Sequence, residues 1–307
     1  MFGIIIFFFR ILVLSIFVST YCYADLKYEK DLKKVSKDNG FVDSKGSIYP
    51  IEQISNKKNT ILIIWTHGST GDQKIDKCLK VWAKPPPTIL NLHNQKIKNF
   101  EVKIYRLCSG VRGWSQAEQN KMWKAHEKSG KLDLKLTDKE GTPLIQKQKQ
   151  LRKAKVIKEK VDRFIEQGFK NIVLAGQSSG GWQSMTVQSR SPKKIKGVIA
   201  NHPGGGGTIK NRRDWPWWED IRSYQISLMD LPNLNALIFT HDKDQYNAPE
   251  DYSFLSNINL VKLINLTGSG CKGKIILGGY HGIASTKCFA EYEGKNKNIV
   301  KYLEGLF

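Results

Sequence analysis

Six short apolar runs recur along this 307-residue chain, separated by segments long enough for helices. They are ILIIWT (Ile61–Thr66), FEVKIYRL (Phe100–Leu107), NIVLAG (Asn171–Gly176), KGVIAN (Lys196–Asn201), NALIFT (Asn235–Thr240) and KIILGG (Lys274–Gly279). A strand with one wet face alternates apolar and polar residues; a continuous run such as ILIIWT belongs to a strand covered on both faces. Covered strands that alternate with helices imply βα units, hence an α/β fold: a mostly parallel central sheet with helices on both faces. The clearest helix, Gln146–Gln167, places Leu151, Val156, Ile157, Val161, Phe164 and Ile165 on one face and lysines on the other, and Gly168 supplies the stop. No repeat and no Pro/Ser linker follows Asp25, so residues 25–307 are expected to form one domain. With 40% hydrophobic and 25% charged residues, the composition is globular and excludes disordered, collagenous and multi-span membrane classes. Residues 109–145 are polar and weakly patterned, and no role is assigned to them.

The first 24 residues stand apart. Arg10, the apolar stretch Ile11–Val18 and the small Ala24 before Asp25 form the three regions of a secretory signal peptide, which predicts an exported, periplasmic or secreted protein. As an uncleaved anchor the same stretch would bury Arg10 at about 2.5–3.5 kcal/mol. The bulky Tyr21 before Cys22 argues against a lipoprotein. In an oxidising compartment Cys78, Cys108, Cys271 and Cys288 form an even set; the expected pairs are Cys78–Cys108 and Cys271–Cys288, each bracketing one local stretch, with four buried thiols as the alternative. Lys and Arg total 49 against 28 acidic residues, a net charge of +21 that attracts polyanions and anionic envelope surfaces without naming a partner. No nucleic-acid module accompanies that charge, so no specific nucleic acid is expected. Neither CxxC nor HExxH spacing occurs, and neither a metal nor a cofactor is expected.

The chemistry starts where NIVLAG runs into GQSSGGW. Gly176, Ser178 and Gly180 fit G-x-S-x-G, in which flanking glycines let a strand turn sharply into a helix while the serine is held exposed. A serine needs a base to take its proton and a carboxylate to orient that base. His281 lies in the Gly-flanked loop after KIILGG and is the candidate base. Asp244 and Asp242 both follow NALIFT at the carboxyl edge of the sheet, where open α/β folds build their sites. Asp244 is preferred as the acid, with Asp242 as its rival. Donors for an oxyanion are expected from Ser179, next to the nucleophile, and from Ser69 in HGSTG (His67–Gly71) after the first strand.

These four segments, HGSTG, GQSSGG, the HDKD loop and GGYHG, occur in an order that resembles the α/β-hydrolase superfamily, from about Ile61 to the C-terminus, and most nearly its dienelactone-hydrolase and small-esterase branch. The resemblance implies an α/β-hydrolase fold with Ser178 as nucleophile, His281 as base and then acid, Asp244 as acid, an acyl-enzyme hydrolysed by water, and a small-molecule acyl substrate. His241 stands where many members have glycine. Such folds carry a small lid-like insertion after the sixth strand, here NHPGGGGTIKNRRDWPWWEDIRSYQ (Asn201–Gln225). Within it Gly204–Gly207 is expected as a hinge, Trp215, Trp217 and Trp218 as an aromatic roof, and Arg212 and Arg213 as a clamp for a substrate carboxylate. Trp182, just past the nucleophile, is a further expected substrate contact. Two other classes are compatible with the sequence: an inactive scaffold acting as a basic polyanion or envelope binder, and an acyltransferase with the same triad.

Overall fold

The computed structural model describes residue 33 and residues 35–69, 83–110, 144–214, 217–273 and 279–307. The expected leader at 1–24, Cys78, Trp215, most of the polar excursion and residues 274–278 of the last expected strand lie outside the described residues. Five of the six apolar runs form strands. Among the described residues the strands are β1 (Gly40–Val42), β2 (Ile48–Tyr49), β3 (Thr60–Thr66), β4 (Lys96–Ile97), β5 (Phe100–Leu107), β6 (Asn171–Gln177), β7 (Ile195–Asn201), β8 (Ala236–Thr240) and β9 (Val261–Asn265). They join one sheet in the order β2-β1-β5-β3-β6-β7-β8-β9, with β4 also paired to β5. From β5 to β9 every neighbour is parallel, and only β1, β2 and β4 pair antiparallel.

The two-residue period of a strand sends alternate side chains to opposite layers. Leu62, Ile64, Leu174, Val198 and Ile238 meet Val156, Ile157 and Phe164 of helix α1 (Leu144–Glu166) and Trp182 and Met185 of α2 (Ser179–Ser189). On the other face Ile61, Ile63, Trp65, Val173 and Phe239 meet Phe289, Ile299 and Leu303 from the C-terminal helices. The sheet is therefore covered on both faces, as the unbroken apolar runs require. β9 departs from the pattern because it is an edge strand: Leu263 is 38% exposed and its neighbour Leu260 57%.

Helix α1 presents a different face from the one expected. Leu151 is 44% exposed, whereas Lys153 is 1% exposed. Lys153, Val156, Ile157, Val161 and Phe164 follow the i, i+3, i+4 rhythm of one stripe, and Leu151 lies two residues out of phase with it. Helix α2 is buried along its whole length. Several of its polar groups are engaged internally: Gln183 donates to Gln150 Oε1 at 2.7 Å, and Gln188 accepts from the Asn235 N–H at 2.9 Å.

The Cys271–Cys288 disulfide is present and closes the stretch that carries His281. Cys108 is disulfide-bonded as well. No helix among the described residues is long and apolar enough to cross a membrane.

Candidate active site

Ser178 sits between the end of β6 and the start of α2 with φ 52° and ψ −129°. A serine in that region carries roughly 1–3 kcal/mol of backbone strain, which the surrounding packing must enforce. The enforcement comes from the two flanking glycines. A Cβ on Gly176 would lie 2.6 Å from the Gly180 carbonyl carbon, and one on Gly180 would lie 2.1 Å from Thr66 O. Strand β6, helix α2 and the end of β3 therefore cross at contact distances only glycine allows. The Ser178 N–H donates to Asn201 O at 3.1 Å, and its carbonyl accepts from the Trp182 N–H at 3.0 Å, which starts the helix.

His281 comes from the turn Tyr280–Ser285. Its Nδ1 lies 2.9 and 3.0 Å from the two carboxylate oxygens of Asp244, so Nδ1 carries the proton and Nε2 the lone pair. Nε2 has no hydrogen-bond partner among the described residues. The Gln177 side chain, one residue before the serine, donates to the His281 carbonyl at 3.0 Å and ties the two loops together. Gly204 marks how near the groups are, for a Cβ there would lie 3.3 Å from Ser178 Oγ and 3.5 Å from His281 Cε1. The Ser178–His281 hydrogen bond is not formed in this structure; bonds of this kind often tighten only with substrate in place.

Of the two aspartates after β8, Asp244 reaches the imidazole. Asp242 is exposed, and its carboxylate accepts from Asn265 Nδ2 at 2.8 Å. Asp244 is buried and accepts the Tyr246 N–H at 2.8 Å. It accepts a second imidazole too: His202 Nδ1 lies 3.1 Å from its Oδ2. Burial pushes the Asp244 carboxyl up, but hydrogen bonds from His202 and His281 outweigh burial and hold it well below the usual carboxylate range. It stays ionised at any pH of interest.

His202, after a strand not expected to supply a base, is a residue of the site that sequence reasoning missed. It is fully buried, with a left-handed φ of 46°. Burial lowers its pKa in spite of Asp244, so it is neutral and gives Nδ1–H to the carboxylate. Linkage fixes the sign of the consequence. The unfolded chain takes a proton on this histidine below about pH 6.5 that the fold resists, and Asp244 adds a second loss below about 3.9. Stability should therefore fall as pH drops from 7.5 to 5.5, by at most about 1.4 kcal/mol per pH unit for each proton. His202→Asn keeps a donor nitrogen and suits the left-handed backbone. Its urea midpoint is expected to vary less between those pH values than that of the wild type; an equal variation would exclude His202 as a source.

The expected oxyanion residues flank Ser178. Ser179 opens α2, is buried, and donates its hydroxyl to Gln150 Oε1 at 3.3 Å. Ser69 is exposed and follows Gly68, whose Cβ position would lie 3.0 Å from Ser178 Cβ.

The expected substrate contacts are dispersed. Trp182 is fully buried, with the Arg222 guanidinium 5.5 Å from its ring centre and Phe254 at 6.0 Å, so it belongs to the core. Arg212 is buried as well, donating to Gly207 O at 3.1 Å, Tyr246 O at 2.9 Å and Asp251 Oδ1 at 2.9 Å. Its fork holds the loop around Tyr246 instead of facing a ligand. Arg213 is exposed and bonds its neighbour Asp214. Residues 201–225 contain two helices, α3 (Ile209–Asp214) and the start of α4 (Trp217–Ser227), and the side chain of Trp217 lies outside the described residues. The Gly204–Gly207 run is a packed strip and not the expected hinge. Cβ atoms on Gly205, Gly206 and Gly207 would meet Trp182 at 2.9 Å, Arg222 Cβ at 2.4 Å and Trp218 at 2.9 Å. Sequence reasoning also missed Tyr246, whose ring packs on His281 at 4.2 Å between centres.

No family model and no curated protein matches the chain. Among solved structures, it is similar to Est1E from Butyrivibrio proteoclasticus with ferulic acid bound, at 15% identity over 85% of this chain and 98% of that one, with a TM-score of 0.47. It is similar also to a monoacylglycerol lipase of Paleococcus ferrophilus, at 12% identity, 88% and 98% coverage and a TM-score of 0.45. A third likeness is to the metagenome-derived lipolytic enzymes LipS and LipT, at 10% identity, 80% and 95% coverage and a TM-score of 0.46.

Proposed function

We propose that this protein is a serine hydrolase of the α/β-hydrolase type that cleaves an ester, lactone or related acyl bond. The observation that carries the reading is the convergence on one sheet edge of a strained, glycine-flanked Ser178 and a His281 whose Nδ1 is held by the buried, ionised Asp244. Ser178 Oγ attacks the acyl carbon as His281 Nε2 takes its proton, and Asp244 holds the tautomer that leaves Nε2 free to do so. The oxygen of the tetrahedral intermediate is received by the N–H groups of Ser179 and Ser69. His281 then returns the proton to the leaving group, and water, activated by the same imidazole, releases the acyl group from Ser178.

Export follows from the leader at residues 1–24, and the Cys271–Cys288 bridge supports an oxidising compartment. The strongly basic composition, a net charge of +21 for the whole chain, supports electrostatic association with anionic envelope components. With Arg212 engaged by Asp251 and two carbonyls, the substrate is assigned no carboxylate.

The test is labelling of the purified protein with a fluorophosphonate probe. Wild type is expected to take the label, and Ser178→Ala and His281→Ala, both still folded by circular dichroism, are expected to lose it. A folded wild type that takes no label would overturn the reading and leave the basic surface as the property to pursue.

A further inference from the structure

Lys153 is a charged side chain with 1% of its surface exposed, on the stripe of α1 that, Gln150 apart, buries aliphatic and aromatic residues. Methionine or leucine would fill that position without the several kcal/mol that an interior ammonium costs unless hydrogen-bonded acceptors receive it. Two consecutive peptide carbonyls are among the acceptors: Lys153 Nζ lies 2.7 Å from His67 O and 3.3 Å from Gly68 O. Gly68 O also accepts from His67 Nδ1 at 2.6 Å. These carbonyls belong to the loop that leaves β3 and passes Ser178, and they immediately precede Ser69.

A trans peptide is planar, with its C=O and N–H antiparallel. A carbonyl anchored on Lys153 therefore fixes the next residue's N–H on the opposite side: Gly68 N–H through His67 O, and Ser69 N–H through Gly68 O. A cation at the oxygen also draws electron density through the amide and strengthens that N–H as a donor, most of all where water is excluded. Gly68 runs beside the nucleophile: a Cβ there would lie 3.0 Å from Ser178 Cβ and 3.6 Å from Oγ.

We propose that Lys153 is a positioning residue for the oxyanion hole, its buried ammonium orienting and polarising the 67–68 and 68–69 peptides so that their N–H groups meet the anionic oxygen formed during acyl transfer at Ser178. The inference rests on the serine-hydrolase reading and deepens it. Lys153 acts through the peptides it anchors, so its effect is felt in the transition state and the acyl-enzyme.

The test compares wild type with Lys153→Met, which removes the charge at similar length, and Lys153→Gln, which keeps an N–H donor without the charge. With a short-chain p-nitrophenyl ester, Lys153→Met is expected to lower kcat by about 10- to 100-fold, an order below the loss of a hole donor outright, with KM within about twofold. Affinity for a boronic acid that mimics the tetrahedral species is expected to fall by the same factor as kcat. The carbonyl stretch of a chromophoric acyl-enzyme is expected to move to higher wavenumber. Lys153→Gln is expected to lie between Met and wild type, and it carries the test if the Met variant does not fold. A lowered melting temperature with kcat per folded molecule, boronate affinity and carbonyl frequency unchanged would overturn the inference alone. A wild type without fluorophosphonate labelling would overturn the hydrolase reading instead.

Discussion

Asp244→Asn is expected to lower kcat by about four orders of magnitude while leaving the protein folded. The size follows from what meets the carboxylate. Both His281 and His202 present Nδ1–H to Asp244, and the Tyr246 N–H takes a further lone pair. Asparagine has the same shape but only one accepting oxygen, and its NH2 group faces a donor. The conflict is relieved if one imidazole moves its proton from Nδ1 to Nε2. When that imidazole is His281, its Nε2 no longer has a lone pair for the Ser178 proton, and catalysis falls to what oxyanion stabilisation and binding supply. The matched variant is Asp242→Asn, on an exposed carboxylate held by Asn265, and its kcat is expected within about twofold of wild type. Steady-state kinetics on the two variants decides between the acids; a loss confined to Asp242→Asn would mean that the wrong carboxylate has been read into the triad.

Ser178 and Asp244 were legible because each follows the end of a covered strand, and a continuous apolar run is the least ambiguous pattern a chain of this class contains. Strands β3, β6 and β8 are of that kind, and β7 is from Gly197 onward, whereas β5 interleaves Glu101, Lys103 and Arg106 with its apolar residues. β9 was not legible: at the edge of the sheet it keeps one side in water, and VKLIN has neither the length nor the alternation to stand out. The last apolar run, Lys274–Gly279, drew attention instead. Lys153 was hidden for a related reason. Composition places lysines on wet faces, and only the phase of α1, fixed by its packing on the sheet, turns this one inward. His202 and Arg212 show the same limit from the side of chemistry. A histidine after a strand and an arginine in a loop have many uses, and their partners, Asp244 and Asp251, lie 42 and 39 residues further along the chain. Gly204–Gly207 shows it for backbone: four glycines in a row read as freedom, whereas here the space for each Cβ is taken by Ser178, Trp182, Arg222 and Trp218.

Gly180→Ala is expected to remove more than about 4 kcal/mol of stability, enough to leave a protein of ordinary marginal stability largely unfolded. The added methyl carbon would lie 2.1 Å from Thr66 O, 2.5 Å from His67 O and 2.7 Å from Thr66 C, all backbone atoms. None can swing aside as a side chain would. Thr66 ends β3, in register with Gly176 of β6 and Leu107 of β5. Relief therefore needs either ladder rupture or lifting of α2 from the sheet, and α2 is buried throughout. Gly294→Ala is the counterpart. It lies within helix α5 (Lys287–Asn296) with nothing within 4 Å of its Cβ position, and alanine there is expected to stabilise by about 0.5–1 kcal/mol. Urea unfolding followed by circular dichroism measures both. A folded Gly180→Ala protein of near wild-type stability would mean that β3 and α2 do not approach as described. The elbow that strains Ser178 would then lose its physical cause, because that close crossing is what keeps the serine at φ 52° and its hydroxyl beside His281.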